Sequence, residues 1–249
     1  MTPEPADSAL LDQLGRLSTC IVASTIETFG VRLRNTGFAN SSIRCMFDDL
    51  PPVVGYAATA RIRGSQPPMG GRTYYDRTDW WNYLLTIPAP RIVVIEDMDR
   101  PSGLGSLVGE VHANILRALG CVAFATNGAV RELPALHRIG IQCFAGNVAV
   151  SHSYAHIFEF GTAVEIGGLR VEPGDLLHGD RHGVLQIPGK VAGEVPGAAR
   201  KIIEKEQGII ALCQSNGFSL EKLIQLIRSL NSPQNPAPHG TEGKRGENS

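Results

Sequence analysis

The residues best suited to chemistry lie between 103 and 132. Gly103-x-Gly105-x-x-x-Gly109 is followed by Glu110, and twenty residues later comes Arg131-Glu132. Glycines between a strand and a helix can turn free N–H groups toward an anion, which raises a dinucleotide reading. However, six residues, Asp97 to Ser102, separate the predicted strand from the first glycine, and the spacing is not G-x-G-x-x-G, so that reading is disfavoured. A structural reading also accounts for the glycines: they close a tight turn, and Glu110 in the first helical turn suits the helix dipole. A third reading joins the charges. If 91–126 run strand, helix, strand with the strands parallel, Glu110 and Arg131-Glu132 share one rim, where ligands gather in α/β sheets. An arginine grips a carboxylate through two parallel bonds, and a carboxylate can hold a divalent cation. Free amides at 109–111 would serve a second anionic oxygen. Such a set suits a 2-oxo acid.

Other candidates are less specific. Four of the seven histidines, His152, His156, His178 and His182, fall within 31 residues. His152 and His156 are four apart, and His178-x-Asp180-x-His182 alternates, so pairs can share a helix or strand face. They read either as a proton shuttle or extra metal ligands, or as side chains satisfying backbone and interface groups. His112, two after Glu110, either donates to a substrate or packs beneath the loop. His137 and His239 read as surface or tail residues. Asp180, within Gly-Asp-Arg-His-Gly, suits a β-turn. Glu96-Asp97 ends a strand near the same rim and reads as a holder of metal-bound water or as a solvated pair. Tyr74, Tyr75, Trp80 and Trp81 form the densest aromatic patch, suited to core, subunit contact or lid.

These residues need a scaffold. Apolar residues from Ala9 to Phe29 recur at helical spacing, and Ser18 is placed to cap a second helix there. Pro52 to Ile62 reads as a strand, Gly64 to Gly71 as a loop, Asp76 to Leu85 as a short helix and Arg91 to Glu96 as a buried strand. Leu107 to Leu119 follows as a helix and Cys121 to Thr126 as a strand, predicting a right-handed βαβ crossover. A short helix is expected over 133–139. Gln142–Val150, Thr162–Val171 and Leu176–Ile187 are β-like. Ala198 to Leu212 reads as an amphipathic helix, and Ser219 caps another over Leu220–Leu230. The chain reads as one domain over 9–230 with a disordered tail over 231–249.

Composition excludes some classes. The chain has 249 residues, 43% hydrophobic and 19% charged, enough for a real core. Its net charge of −1 argues against general nucleic-acid binding. No apolar run reaches the ~18 residues of a spanning helix. The acidic, Pro-rich start lacks the pattern of a signal peptide, predicting a cytoplasmic protein with no membrane partner. Five cysteines without a Cys-x-x-Cys read as buried free thiols rather than a disulfide framework or metal cluster.

The stretch GEVHANILRALGCVAFATNGAVRELPAL…GIQCFA resembles the RraA-like family, as do VEIGGLRVEPGDLLHGDRHGVLQIP (164–188) and LSTCIVASTIETFG (17–30). The resemblance spans roughly residues 10–210. This family includes 4-hydroxy-4-methyl-2-oxoglutarate/4-carboxy-4-hydroxy-2-oxoadipate aldolases, oxaloacetate decarboxylases and the RNase E inhibitor RraA. The resemblance implies an α/β domain of the swivelling β/β/α type with a C-terminal helical extension, assembled as a homotrimer or homohexamer. It implies a divalent-metal-dependent lyase that cleaves a C–C bond of a 2-oxo acid, by aldol cleavage or oxaloacetate decarboxylation. Arg131, Glu132 and Glu110 would be catalytic. Gly109, Glu110, Val111, His112 and Arg131 would bind substrate, and Glu132 would anchor Mg²⁺ or Mn²⁺. The family's aldolases carry Asp-x20-Arg-Asp, whereas this chain has Glu110 and Glu132 at the acidic positions. Each is one methylene longer, which keeps the charge and alters the reach. The alternatives are a non-catalytic regulator that binds a ribonuclease and a divergent enzyme acting on a related sugar acid.

Overall fold

The computed structural model describes residues 7–68 and 77–231. The chain divides into two units, Met1–Ala199 and Arg200–Ser249. The first unit opens with helices α1 (Ser8–Gly15) and α2 (Thr19–Thr28). Side chains cap both: Asp7 accepts from the Ala9 N–H and Ser18 from the Ile21 N–H, each at 3.3 Å. These bonds satisfy amides that a helix start leaves open. The expected second helix after Ser18 is therefore present.

The order continues as β1 (Arg44–Cys45), β2 (Val53–Arg63), α3 (Thr78–Thr86), β3 (Arg91–Asp97), α4 (Glu110–Ala118), β4 (Cys121–Val130), α5 (Leu133–Ile139) and β5 (Gln142–Val148). Then come β6 (His156–Phe160), β7 (Val164–Ile166), β8 (Leu169–Val171), β9 (Leu176–Asp180), β10 (Gly183–Ile187) and the start of α6 (Val195–Gln214). Eight strands form one sheet in the order β1-β5-β4-β3-β2-β9-β10, with β6 added beside β2. The pairs β2–β3, β3–β4 and β4–β5 are parallel, as the strand–helix–strand reading of 91–126 requires. On its other edge, β2 pairs with β9 through Val53–Tyr56 and with β6 through Ala60–Arg63. β7 and β8 make a separate hairpin, so the expected strand at 162–171 is two short ones.

The central strands are apolar on both faces because both are covered. Val93 and Ile95 of β3 point into one core with Trp80, Leu84 and Leu116, while Ile92 and Val94 point into another with Phe144, Ile166 and Leu169. Alternation along a strand produces the two layers. The helix expected from Leu107 begins at Glu110, and the strand expected to stop at Thr126 runs to Val130. No strand had been expected at β6.

The second unit holds the rest of α6 and α7 (Leu220–Asn231), whose start is capped by Ser219 accepting from the Lys222 N–H at 3.3 Å. The architecture is the expected mixed α/β with a C-terminal helical extension. Tyr74, Tyr75, His239 and the tail beyond residue 231 lie outside the described residues. Among the described residues no helix is long and apolar enough to cross a membrane. All five cysteines are free, but the expected burial holds only for Cys121 and Cys143; Cys45 is half-buried, and Cys20 and Cys213, on helix faces that no core covers, are exposed.

Candidate functional site

The rim is built where β3 and β4 end. β4 shifts register between Thr126 and Ala129. Asn127 fills the irregularity by accepting the Asp97 N–H at 2.7 Å and donating to the Asp97 carbonyl at 3.0 Å. Gly128 is needed there, since a Cβ would stand 2.9 Å from Asp97 Cβ and Oδ2. Asp97 itself ties down the following loop by accepting the N–H groups of Asp99 at 3.0 Å and Gly103 at 2.7 Å. Burial raises its pKa, partly opposed by the Gly103 and Asp99 amides. Asp99 accepts from the Gly64 and Ser65 amides at 2.6 and 3.0 Å and from the Ser65 hydroxyl at 2.6 Å. Burial would raise its pKa, but those three donors, helped by the charge of nearby Arg63, outweigh it and hold the carboxyl low. Glu96 pairs with Arg61 at 3.0 Å. The Glu96-Asp97 pair is thus structural, and Asp99 was not foreseen as the loop's second anchor.

The fixed loop delivers Gly109 as the N-cap of α4, with Glu110 as its first residue. Across from it, Arg131 and Glu132 follow the last residue of β4. Glu132 has φ 59° and ψ 39°, a left-handed conformation, and is the N-cap of α5. For a residue with a Cβ that conformation costs about 1–3 kcal/mol, and such outliers gather at functional sites. It turns the Glu132 side chain back toward α4. Oε2 accepts the Glu110 N–H at 2.6 Å, and Oε1 accepts from Arg131 Nη2. A Cβ at Gly109 would lie 2.5 Å from Oε2, so glycine there permits the approach. The Glu132 carboxylate therefore occupies the position between arginine and helix amide that was expected for a substrate carboxylate.

The structure thus brings together Gly109, the Glu110 amide, Arg131 and Glu132, and it corrects other expectations. The Glu110 amide is not free, and its carboxylate faces Arg138 at 3.6 Å on the exposed surface, a pairing of little energetic weight. The Val111 side chain is exposed. His112 is buried, with Nδ1 3.3 Å from the Leu107 carbonyl. Burial, opposed by that carbonyl and reinforced by nearby His152, lowers its pKa to about 4, so it is neutral at pH 7. It lines a cavity of about 510 Å³ whose walls include none of Gly109, Glu110, Arg131 or Glu132.

The other histidines also separate. His178 is buried between Thr19 Oγ1 at 3.0 Å and the Leu14 carbonyl at 3.1 Å, and burial lowers its pKa. His182 contacts Asp180 Oδ1 at 3.0 Å, and its amide donates to the same oxygen at 2.8 Å. Asp180 thus shapes the β9–β10 turn, as expected. His152 Nδ1 lies 2.9 Å from the Ser106 carbonyl, bracing the loop before α4, and His156 Nδ1 lies 2.8 Å from the Tyr154 carbonyl. His137 sits 2.8 Å from Asp49 on the surface.

Among the described residues no group of three or more His, Cys, Asp or Glu is arranged to hold a metal ion. Glu132 offers a carboxylate beside Arg131 at the rim, and each oxygen has acceptor capacity beyond its present bond. That donor set fits Mg²⁺ or Mn²⁺ held by one carboxylate with water and substrate oxygens completing the shell.

The RraA-like family model, described as Aldolase/RraA, matches residues 10–186. A stretch of 84 residues is 27% identical to a protein of Halalkalibacterium halodurans named "Putative 4-hydroxy-4-methyl-2-oxoglutarate aldolase", covering 33% of this chain and 40% of that protein. The match thus spans less than half of that relative's length. An uncharacterized protein from Pseudomonas syringae pv. tomato superposes with TM-score 0.69 at 21% identity, over 89% of this chain and 95% of its own. Streptomyces coelicolor RraAS2, described as an unusual member of the RNase ES inhibitor RraA protein family, gives 0.64 at 20% identity, over 82% and 96%. At these identities the two structures show a shared fold.

Proposed function

The chain belongs to the RraA-like family, and from that premise and the rim geometry we propose a divalent-metal-dependent lyase cleaving a C–C bond of a 2-oxo acid. The observation that carries the reading is the Glu132 carboxylate held between Arg131 and the Glu110 amide on left-handed backbone. Two donors that converge on one carboxylate can converge on another.

In this reading the substrate's carboxylate replaces Glu132 on Arg131 and on the Glu110 N–H. Glu132, released, would be the residue to hold Mg²⁺ or Mn²⁺. A divalent ion bound there supplies Lewis acidity toward the 2-oxo group. Arg131 fixes the 2-oxo acid in the plane of its guanidinium, and its charge favours the enolate that keeps the electron pair of the broken bond. Decarboxylation needs no base, since carbon dioxide leaves without those electrons. Aldol cleavage needs a base for the departing hydroxyl proton, a part that a metal-held water or a nearby histidine would play. The Glu-for-Asp departure at 132 suits the reading, because the Glu132 side chain reaches the Glu110 amide. The family's assembly, a homotrimer or homohexamer, is part of the proposal and should appear as three or six chains by light scattering.

The test is oxaloacetate turnover. Purified protein should release pyruvate, EDTA should abolish the activity, and Mg²⁺ or Mn²⁺ should restore it. Turnover indifferent to chelation would remove the metal. Absence of turnover on oxaloacetate and on 4-hydroxy-2-oxo acids would remove the lyase.

A further inference from the structure

The chain's two tryptophans, Trp80 and Trp81, line the same cavity, the one His112 borders. Its volume of about 510 Å³ falls in the range of roughly 300–1,000 Å³ that small-molecule pockets occupy. Packing defects are far smaller, because interiors leave few voids larger than a water molecule. Apolar walls come from Leu107, Ile115, Ile157, Phe158 and Phe160 beside the indoles. Trp80 and Phe160 pack with ring centroids 5.7 Å apart, and Trp80 is fully buried, so this wall is preformed.

The charged groups are few and unequal. The Arg77 guanidinium is committed: Nε donates to Asp79 at 3.0 Å and Nη1 donates to the Ile157 carbonyl. Arg77 and Asp79 therefore cancel. Arg63 is different. It is exposed, its guanidinium lies 5.0 Å from the centroid of the Phe158 ring, and it enters no salt bridge among the described residues. The cavity thus joins an aromatic floor to one cation set over a ring, which has no salt-bridge partner among the described residues and feels the Asp99 carboxylate only at longer range. A neutral apolar ligand would leave that cation idle, and a small polar anion would leave the aromatic walls in water. We infer that the cavity binds a small amphipathic carboxylate, its aromatic or aliphatic body among the tryptophan and phenylalanine rings and its anionic head on Arg63. The site is distinct from the Arg131 rim and does not depend on the lyase reading.

Because both tryptophans line the cavity, intrinsic fluorescence reports occupancy directly. The full chain is titrated with phenylacetate, with acetate and benzyl alcohol representing head and body alone. Phenylacetate should change tryptophan emission saturably, and neither fragment should do so in the same range. Arg63→Gln, an exposed substitution that leaves the fold intact, should weaken phenylacetate at least about tenfold, the loss expected for one charge-assisted bond. Arg131→Lys should leave the titration unchanged. The proposal is overturned if emission does not respond, as it would not if a second copy of the chain filled the cavity. It is also overturned if benzyl alcohol matches phenylacetate, if Arg63→Gln binds as tightly, or if Arg131→Lys abolishes the response.

Discussion

Two carboxylates in this protein bond the first turn of a helix and a basic neighbour, in opposite settings. Asp180 closes on α2: it accepts the Thr19 N–H at 2.9 Å and the His182 N–H at 2.8 Å, with the His182 ring 3.0 Å away. It is 5% exposed and lies at the end of β9 on ordinary strand backbone. Glu132 closes on α4 through the Glu110 N–H at 2.6 Å with Arg131 beside it, yet its side chain is 38% exposed and its backbone is left-handed. The bonding is alike, and the settings assign the roles. A buried acid whose donors would otherwise be stranded holds the fold together. An exposed acid on costly backbone, with donors that water or a ligand can equally satisfy, is free to exchange.

The sharpest break of this comparison is Glu132→Gln. Glutamine keeps an acceptor for the Glu110 amide and loses the charge. If Glu132 serves the reaction, turnover of oxaloacetate should fall more than about 100-fold, since Lewis-acid stabilisation is worth several kcal/mol. The melting temperature should barely move. Unchanged turnover would make Glu132 a second Asp180.

Arg131→Lys comes next. Lysine keeps the charge and loses the planar fork. One aligned charge-assisted bond is worth roughly 1.5–3 kcal/mol, so kcat/KM for a 2-oxo acid should fall about 10- to 100-fold. A lysine variant with full kcat/KM would confine Arg131 to pairing with Glu132.

Asp180→Ala should have the smallest effect on turnover and the clearest effect on stability. It strands the Thr19 and His182 amides at a cost of roughly 1–3 kcal/mol, visible as a lower Tm with kcat unchanged. The pH dependence follows. Burial would raise the Asp180 pKa, but the His182 and Thr19 amides outweigh it and hold it below the usual value. Its stabilising contribution is therefore complete above an unfolded pKa of about 3.9 and is lost as pH falls through the lower folded value. The wild type should lose this contribution on acidification while the alanine variant, already without it, declines less steeply. Equal acid profiles would argue that Asp180 does not carry the α2 start.

Much of the scaffold was legible because its signals are local. The Ser18 cap, the β-branched run of β3 and the helix over 133–139 each depend on residues within one or two turns of each other. β6 escaped because His156-Ile157-Phe158-Glu159-Phe160 mixes polar and apolar residues on each face and lacks clean alternation, so only its pairing with β2, Arg63 opposite His156, defines it. With it went Phe158, Phe160 and the cavity beside them.

The site divides in the same way. Residue types and spacing determined that Gly109, Glu110, Arg131 and Glu132 would meet, because a parallel strand–helix–strand unit sets helix start and strand end on one rim. Where each side chain points was decided only by the tertiary structure. His112 was expected at the rim and is buried beside the cavity, because the helix begins at Glu110 and its inward face must cover the core. The amides expected to be open to substrate already include one bonded by Glu132. That bond depends on a left-handed φ at residue 132 and on the absence of a Cβ at Gly109, 23 positions earlier, and both take effect only once the fold brings the two segments together.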